Sequence, residues 1–151
     1  MYNFVIRKAN KTDIRHVLDL ILAGVSSDPV SVEEMNRSWW RRVLFRRYFG
    51  PRLIGSQMDT FVAHRPEDGE LVGYLVVQYE GNVAGTFDWA LTEPLTEETV
   101  EILADLIDHA LDHVQETSQA PYFYFGLLAD ASSLITDALE ELGFWLADYQ
   151  L

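Results

Sequence analysis

The stretch TFVAHRPEDGELVGYLVVQYE (residues 60–80) decides the fold. It contains two runs rich in β-branched and aromatic residues, 60–64 and 71–80, separated by the turn-forming segment RPEDGE. Runs of this composition are typical of β-strands, and an Asp68-Gly69 dipeptide between two strands favours a tight reversal of the chain. The stretch therefore predicts an antiparallel β-hairpin.

The segments on either side of the hairpin predict alternating helices and strands. Apolar residues at i, i+3 and i+4 indicate amphipathic helices, and short apolar runs bounded by Gly, Pro or Asn indicate strands. In chain order the predicted elements are a strand at 2–8, a helix from Ile14 to Gly24, a helix from Ser31 to Gly50, strands at 60–64, 71–80 and 85–92, a helix from Thr96 to Val114, a strand at 122–128, a helix at 132–142 and a strand at 144–151. The predicted fold class is α/β, a single domain over 1–151 with a mixed, mostly antiparallel sheet flanked by helices, in the order β-α-α-β-β-β-α-β-α-β.

Charge is divided unevenly along the chain. Residues 1–65 hold all 11 Lys and Arg with six acids, whereas residues 66–151 hold eighteen acids and no Lys or Arg, and the net charge is −13. Such a charge repels phosphates, which disfavours a nucleic-acid partner. The asymmetry fits two halves that face each other, or a cationic partner drawn to the acidic half.

Composition limits the class of protein. The chain has no cysteine, which excludes disulfides, thiolate metal ligands and a cysteine nucleophile. Its apolar runs reach about eight residues, too short to cross a bilayer, and its N-terminus lacks the apolar core of a signal peptide. We therefore expect a cytoplasmic protein without a membrane partner.

Three segments resemble the GNAT superfamily of acyl-CoA-dependent N-acetyltransferases. IRKANKTDIRHVLDL is similar to the family's first strand and helix, DGELVGYLVV to its second hairpin, and ALEELGFW to its final helix, turn and strand. The predicted order of elements agrees with that fold over essentially the whole chain. The resemblance implies a GNAT-like fold and acetyl-CoA or another acyl-CoA as cofactor.

The resemblance also implies where the cofactor would lie. In that family the fourth strand runs into a glycine-rich loop and the third helix, whose amides and positive end hold the pyrophosphate. The matching segment is LTEPLTEETV, so the implied cofactor contacts are Ala90, Leu91, Thr92, Thr96, Thr99 and Val100. The segment departs from the family because it has no glycine or arginine, and two glutamates sit where the pyrophosphate would rest. Like charges repel strongly in a poorly solvated cleft, on the order of several kcal/mol.

A second departure concerns the proton donor. Family members commonly carry a tyrosine five residues before the phenylalanine of the Gly-Phe pair, and this chain has Leu139 there. The candidate catalytic bases are Asp88 on the predicted fourth strand and Glu93 at its end. Glu80 on the third strand is a further candidate, also placed among the substrate-binding residues. Because this half of the chain holds eighteen acids, the interpretation of each single one of these three as a solvated carboxylate beside a strand is favoured.

The segment SWWRRVLFRRYFGPR (38–52) places five arginines among aromatic residues. As a helix it is apolar almost all round, which predicts burial on more than one face. Trp39, Trp40 and Phe45 are candidates to wall a substrate pocket, or to cover a subunit interface, where Trp and Arg are enriched. In a third interpretation the arginine stems pack on the aromatic rings and their heads pair with the chain's own acids.

His109 and His113 lie four residues apart on the predicted acidic helix. Two histidines at this spacing can hold Zn²⁺, but a zinc site needs at least a third ligand. We therefore predict surface histidines and no metal site.

Two functions remain open from the sequence. The first is an acyl-CoA-dependent N-acyltransferase acting on a small cationic amine, with Asp88 or Glu93 as base and water in place of the missing tyrosine. The second is a GNAT-fold module without catalysis, which uses the Trp/Arg-rich helix 36–49 to contact a protein partner or a second copy in a homodimer. The departures from the family pattern favour the second function, and the family's usual role favours the first.

Overall fold

The structure, a computed structural model, describes residues 4–53, 58–127 and 132–144, without the side chain of Phe87. Their strands are β1 (Val5–Lys8), β2 (Val25–Ser26), β3 (Met58–His64), β4 (Leu71–Glu80), β5 (Val83–Leu91) and β6 (Tyr122–Phe125). Their α-helices are α1 (Ile14–Ala23), α2 (Pro29–Met35), α3 (Trp39–Phe49), α4 (Glu97–Thr117) and α5 (Ser133–Glu141). The predicted α/β architecture is confirmed, and the strand predicted at 144–151 lies outside the described residues from 145 onward.

The sheet runs in the order β1-β3-β4-β5, and the outer edge of β5 is shared by β6 and β2. Neighbouring strands are antiparallel except for the parallel pair β5–β6. The predicted hairpin is the β3–β4 pair, in which Phe61 lies opposite Leu75. Its turn contains Gly69 at a φ of 71°, a left-handed backbone conformation that favours glycine.

Helices cover both faces of the sheet. α1 and α3 pack on the face that carries Val62, Tyr74 and Val76, here called the α1 face. α4 and α5 pack on the face that carries Phe61 and Leu75, here called the α4 face. Successive side chains of a strand point to opposite faces, so the two cores are separated by the sheet itself.

The predicted helix from Ser31 to Gly50 is two helices. α2 and α3 are separated at Ser38, whose backbone is extended, with φ −149° and ψ 150°. The Arg42 guanidinium donates to the carbonyl of Asn36 at 3.2 Å and so bridges the break. The prediction missed the break because neither glycine nor proline marks it in the sequence.

The short strand β2 was also not predicted. It follows Gly24, where an added Cβ would overlap the carbonyl oxygen of Leu91. Glycine therefore lets the end of α1 approach β5 closely enough for Val25 to pair with Leu91 and Ser26 with Ala90.

Two arginines of α3 form ion pairs with acids on their own side of the sheet. Arg46 Nη2 lies 2.6 Å from Asp19 Oδ1 of α1, and Arg41 Nη1 lies 3.7 Å from Glu34 Oε1 of α2. The exposed acids of α4 lie across the sheet from α3. The basic helix and the acidic helix therefore do not face each other.

Candidate functional site

A cavity of about 290 Å³ lies on the α1 face. β4 and β5 contribute to its floor, and α1, α2, α3 and the segment between α1 and α2 contribute its walls. It combines carboxylates, hydroxyls and aromatic rings. Its lining includes Asp28, Ser31, Phe45, Phe49, Tyr74 and Asp88.

Two carboxyl groups set the electrostatics of the cavity. Asp88 of β5 is half buried, and burial together with the negative charge of Asp28 raises the pKa of its carboxyl. Tyr74 of β4 is buried, and burial together with Asp88 raises the pKa of its phenol far above the usual range. Tyr74 therefore stays neutral, while the Asp88 carboxylate is a stronger base than an aspartate in water.

Asp28 is held in place as the N-cap of α2. Its Oδ1 accepts a hydrogen bond from the Ser31 N–H at 3.1 Å, and its Oδ2 accepts one from the Ser31 hydroxyl at 2.7 Å. The Asp28 N–H in turn donates to Ser26 Oγ at 3.1 Å. Helix capping thus fixes a second carboxylate at the exposed side of the cavity.

The outer edge of β5 changes partner halfway along its length. β6 pairs with β5 only from Val83 to Thr86. Further along, the Ser27 N–H donates to the Trp89 carbonyl at 2.9 Å, and the Trp89 N–H donates to Ser27 Oγ at 3.2 Å. The sheet therefore splits between β5 and β6, and the segment after α1 occupies part of the split.

The backbone of Ala90, Leu91 and Thr92 was predicted to pair with a cofactor. In the structure Ala90 and Leu91 are paired with β2, and the Thr92 N–H donates to the carbonyl of Val72 at 2.9 Å. An incoming thioester arm would have to displace β2 to reach this edge. The predicted contacts remain a prediction.

Two buried polar atoms near the split have no hydrogen-bond partner among the described residues, the Thr86 hydroxyl and the Trp89 indole N–H. Trp89 is 4% exposed, and its ring stacks on Phe125 of β6 with 6.3 Å between centroids. A buried donor without a partner costs about 1–3 kcal/mol.

The start of α4 is capped by its own side chains. The Thr96 N–H donates to Thr99 Oγ1 at 2.7 Å, and the Thr99 N–H donates to Thr96 Oγ1 at 3.4 Å. Val100 is buried in the core, and Glu97 and Glu98 are exposed in the first turn. The structure therefore does not fit a pyrophosphate at this helix end, because capping uses the amides of Thr96 and Thr99 and the exposed glutamates repel an anion.

The remaining predicted site residues are placed differently from one another. Phe45 lines the cavity, whereas Trp39 and Trp40 are 71% and 50% exposed and are not among its lining residues. Glu80 is exposed at the end of β4, and Glu93 is exposed between β5 and α4. Of the candidate bases, the structure brings only Asp88 to the cavity.

Sequence reasoning missed Asp28 and Tyr74 as site residues. Tyr74 lies in an apolar strand, where a buried tyrosine is usually part of the core. Asp28 precedes Pro29 and reads as a break in the chain, although Asp followed three residues later by Ser31 is an N-cap pattern. That pattern was the one available signal, and it indicates a helix start rather than a site.

His113 joins α4 to the sheet. Its Nε2 lies 2.9 Å from Asp59 Oδ2, which also accepts from the Tyr79 hydroxyl at 2.8 Å. Lys8 Nζ lies 2.9 Å from the other oxygen of Asp59. His109 is exposed as predicted, but His113 is largely covered and has a structural role.

No group of three or more potential metal ligands lies together within 4–53, 58–127 and 132–144. The helices in these same ranges are all too short or too polar to cross a bilayer.

Similarity to known proteins is found in structure and not in sequence. No protein-family model and no curated protein matches the chain. A protein described as a probable acetyltransferase superimposes with a TM-score of 0.71 at 17% identity, covering 97% of this chain and 96% of that chain. Glucosamine-6-phosphate N-acetyltransferase from Arabidopsis thaliana gives 0.67 at 15% identity, over 99% and 97%. AAC(6')-Iy, in complex with the bisubstrate analogue CoA-S-monomethyl-acetylneamine, gives 0.69 at 13% identity, over 99% and 96%. The chain therefore has the GNAT acetyltransferase fold.

Proposed function

We propose that this protein is an acyl-CoA-dependent N-acyltransferase that acts on a small cationic amine bound in the Asp88 cavity. The observation that carries the proposal is the half-buried carboxyl of Asp88, which shares a cavity of about 290 Å³ with Asp28. The fold supports the reaction class, because its structural neighbours include N-acetyltransferases.

The cavity suits an ammonium group on a small apolar body. Its charged lining residues, Asp28 and Asp88, are both acidic. Phe45 and Phe49 line the same space with rings stacked at 4.9 Å between centroids, and aromatic faces attract cations. The volume lies at the lower end of ligand sites, roughly 300–1,000 Å³, which favours a small molecule over a protein tail.

Asp88 is the base in this proposal. An ammonium nitrogen has to lose a proton before it can attack an acyl carbon. Burial and the charge of Asp28 raise the pKa of Asp88, so transfer of that proton to an Asp88 carboxylate oxygen costs less than transfer to an aspartate in water. Tyr74 is kept protonated beside it and does not compete for the proton.

The acyl donor of the fold family is acyl-CoA, which supplies an activated acyl group as a thioester. The start of α4 does not fit its pyrophosphate, because the exposed Glu97 and Glu98 repel an anion. A donor would therefore be held mainly by its arm, which could pair with the backbone of Ala90 and Leu91 only after the segment 25–27 has left the edge of β5.

Thermal unfolding and thiol release test the proposal. A ligand at a hundred times its Kd adds about 2.7 kcal/mol of stability, which raises the Tm of a domain of this size by several degrees. We expect such a rise with millimolar acetyl-CoA, and release of free thiol when members of a panel of small amines are added.

Asp88→Asn should lower the rate of thiol release by about 10²-fold or more. Glu93→Gln, which removes an exposed carboxylate outside the cavity, should change it less than about twofold. Wild-type protein that shows neither a rise in Tm nor thiol release with any amine contradicts the proposal. Equal losses in the two variants would remove Asp88 from the role of base.

A second function is consistent with the start of α4 and the covered edge of β5. Both oppose cofactor binding, as in a module without catalysis that uses helix 36–49 as its contact surface. This alternative predicts that acetyl-CoA leaves the Tm unchanged and that no thiol is released from acyl-CoA. The thiol assay therefore separates the two functions.

A further inference from the structure

α3 exposes more large apolar side chains than it covers. Phe45 and Phe49 are its apolar contacts with the core of the α1 face. The exposed fractions of its other large apolar residues are Trp39 71%, Trp40 50%, Val43 51%, Leu44 43% and Tyr48 64%. A contiguous exposed patch of this kind marks an interaction site on most proteins.

One arginine in this patch is free to meet a partner. Arg41 and Arg46 pair with acids of α2 and α1, but Arg47 has no ion-pair partner among the described residues. On a helix that turns about 100° per residue, Arg47 lies at the centre of the exposed side, in line with Trp40 and about two turns away from it. The α3 outer face is defined here as Trp39, Trp40, Val43, Leu44, Arg47 and Tyr48.

The residues of the α3 outer face are ordered so that a second, antiparallel copy would place matching residue types opposite one another. If two α3 helices cross antiparallel at the midpoint between residues 43 and 44, residues equally far before and after that midpoint lie level across the interface. The level pairs nearest the axis are then Trp40 with Arg47 and Val43 with Leu44. They match a ring with a cation and two aliphatic side chains, while Trp39 and Tyr48 lie on opposite edges of the face.

We propose that the α3 outer face binds a second copy of this chain, with the two α3 helices antiparallel about a two-fold axis between Val43 and Leu44. A two-fold interface uses the same patch on both copies, so each favourable pair occurs twice. The proposal concerns a surface separate from the cavity and does not depend on the reaction proposed above.

The charges on this surface agree with a second copy. The Arg41 guanidinium of the same chain already lies over one side of the Trp40 ring, 5.4 Å from its centroid, so Arg47 of the other copy would lie over the opposite side of that ring. The two Arg47 side chains would start about 10 Å apart along the helix axis, where solvent ions screen much of their repulsion. The acidic side of α4 is a poorer partner, because its carboxylates would be desolvated against apolar rings.

The available area also agrees with a dimer. The five exposed apolar side chains offer roughly 600 Å² per copy, from the typical areas of such side chains and their exposed fractions. Two copies would bury at most about 1,200 Å², which is the lower limit of stable protein interfaces. We therefore expect a dimer that dissociates at about micromolar concentration.

Sedimentation of the wild-type chain from about 1 to 100 μM should show the 17.3 kDa monomer giving way to a species of twice that mass. Leu44→Glu places a carboxylate at the centre of the interface and should weaken dimerisation about a hundredfold or more. Val30→Glu is the matched control, because Val30 is 70% exposed on α2 outside the face. Both variants should keep the wild-type Tm of the monomer, since both sites face solvent.

A wild-type chain that stays monomeric at 100 μM overturns the proposal, as does a Leu44→Glu chain that dimerises normally. A monomeric wild type that binds anionic vesicles, or one that captures a different protein, would assign the face to that partner and would equally overturn it.

The absence of native cysteine makes the register testable, because each introduced thiol is the only one in its chain. A mixture of Trp40→Cys and Arg47→Cys chains should form the mixed disulfide in excess of either homodimer, since disulfides need Cα atoms within about 7 Å. A parallel crossing would instead link each variant to itself. Val30→Cys should remain unlinked, and predominant homodimers of the first two variants would refute the antiparallel register.

Discussion

α3 and α4 lie on opposite faces of one sheet and use their apolar residues in opposite ways. α4 buries a complete stripe over 21 residues, and Ile102, Leu103, Leu106 and Ile107 are each at most 1% exposed. α3 has no fully buried residue over 11 residues, although it carries two tryptophans, two phenylalanines and a tyrosine. Aromatic content therefore does not identify the helix that holds a fold together; the direction in which the side chains point does.

The largest expected effect compares the same substitution on the two helices. Leu106→Ala on α4 removes a fully buried side chain and should lower the free energy of unfolding by about 2–5 kcal/mol. Leu44→Ala on α3 removes a side chain that is 43% exposed and should change it by about 0.5 kcal/mol or less in the monomer. Urea unfolding followed by circular dichroism, at a concentration where the chain is monomeric, measures both values.

Equal losses in the two leucine variants would break the comparison, because they would show that α3 is as much a part of the core as α4. A large loss for Leu44→Ala that appears only at high protein concentration would instead reflect the dimer.

An ion pair beside α1 should give a loss of unfolding free energy between those of the two leucine variants. Arg7 makes two hydrogen bonds to Asp13, at 2.7 and 2.9 Å, and the Asn10 N–H donates to the same carboxylate at 2.9 Å. Asp13→Asn should cost about 1–2 kcal/mol, less than a fully buried pair, because the Arg7 side chain is 37% exposed. Urea midpoints at pH 7 measure the loss, and Asp112→Asn on the exposed side of α4 is the control.

The same ion pair predicts a pH dependence. The hydrogen bonds from Arg7, and then the backbone bond from Asn10, hold the pKa of Asp13 below its unfolded value of about 3.9. Its contribution is therefore complete above the unfolded pKa and is lost as the pH falls through the folded pKa. We expect the wild type to lose stability from about pH 4 downward and Asp13→Asn to lose less over that range. Parallel curves for the two proteins would contradict this origin.

The smallest expected effect concerns the acidic side of α4. Partial desolvation, and then the charges of Asp108 and Glu101, raise the pKa of Asp105 on the exposed side of α4, so its negative charge costs some stability at neutral pH. That cost disappears as the pH falls through the raised pKa. Asp105→Asn should therefore stabilise the protein at pH 7 by about 0.2–0.5 kcal/mol. The gain should vanish in acid, and a destabilised variant at pH 7 would show that Asp105 has a favourable contact instead.

The sequence predicts those parts of the fold whose signals are local. The β3–β4 hairpin follows from Asp68-Gly69 between two β-rich runs, and α4 follows from apolar residues at helical spacing. α3 has apolar and charged residues on every side, so its sequence does not say which side faces the protein. Only the tertiary position of α1 and β4 decides that Phe45 points inward and Trp40 outward.

The candidate site is less predictable than the fold for a related reason. Asp88 could be proposed because the reaction implied by the resemblance needs a base, and Asp88 lies on the predicted fourth strand. Tyr74 comes beside Asp88 through the pairing of β4 with β5, but a tyrosine in an apolar strand is usually part of the core. Asp28 could not be proposed, because it meets Asp88 only after the segment behind α1 has folded onto β5. That contact depends on residues more than 60 positions apart, which no local pattern reports.

Gly24 has a consequence for how sequences of this fold can vary. Any side chain at this position would overlap the carbonyl oxygen of Leu91, so the chain behind α1 could no longer lie against β5. A homologue that carries another residue at the corresponding position would have to leave that strand edge uncovered. The residue at this one position therefore separates sequences that cover the edge with their own backbone from sequences that leave it open to a bound molecule.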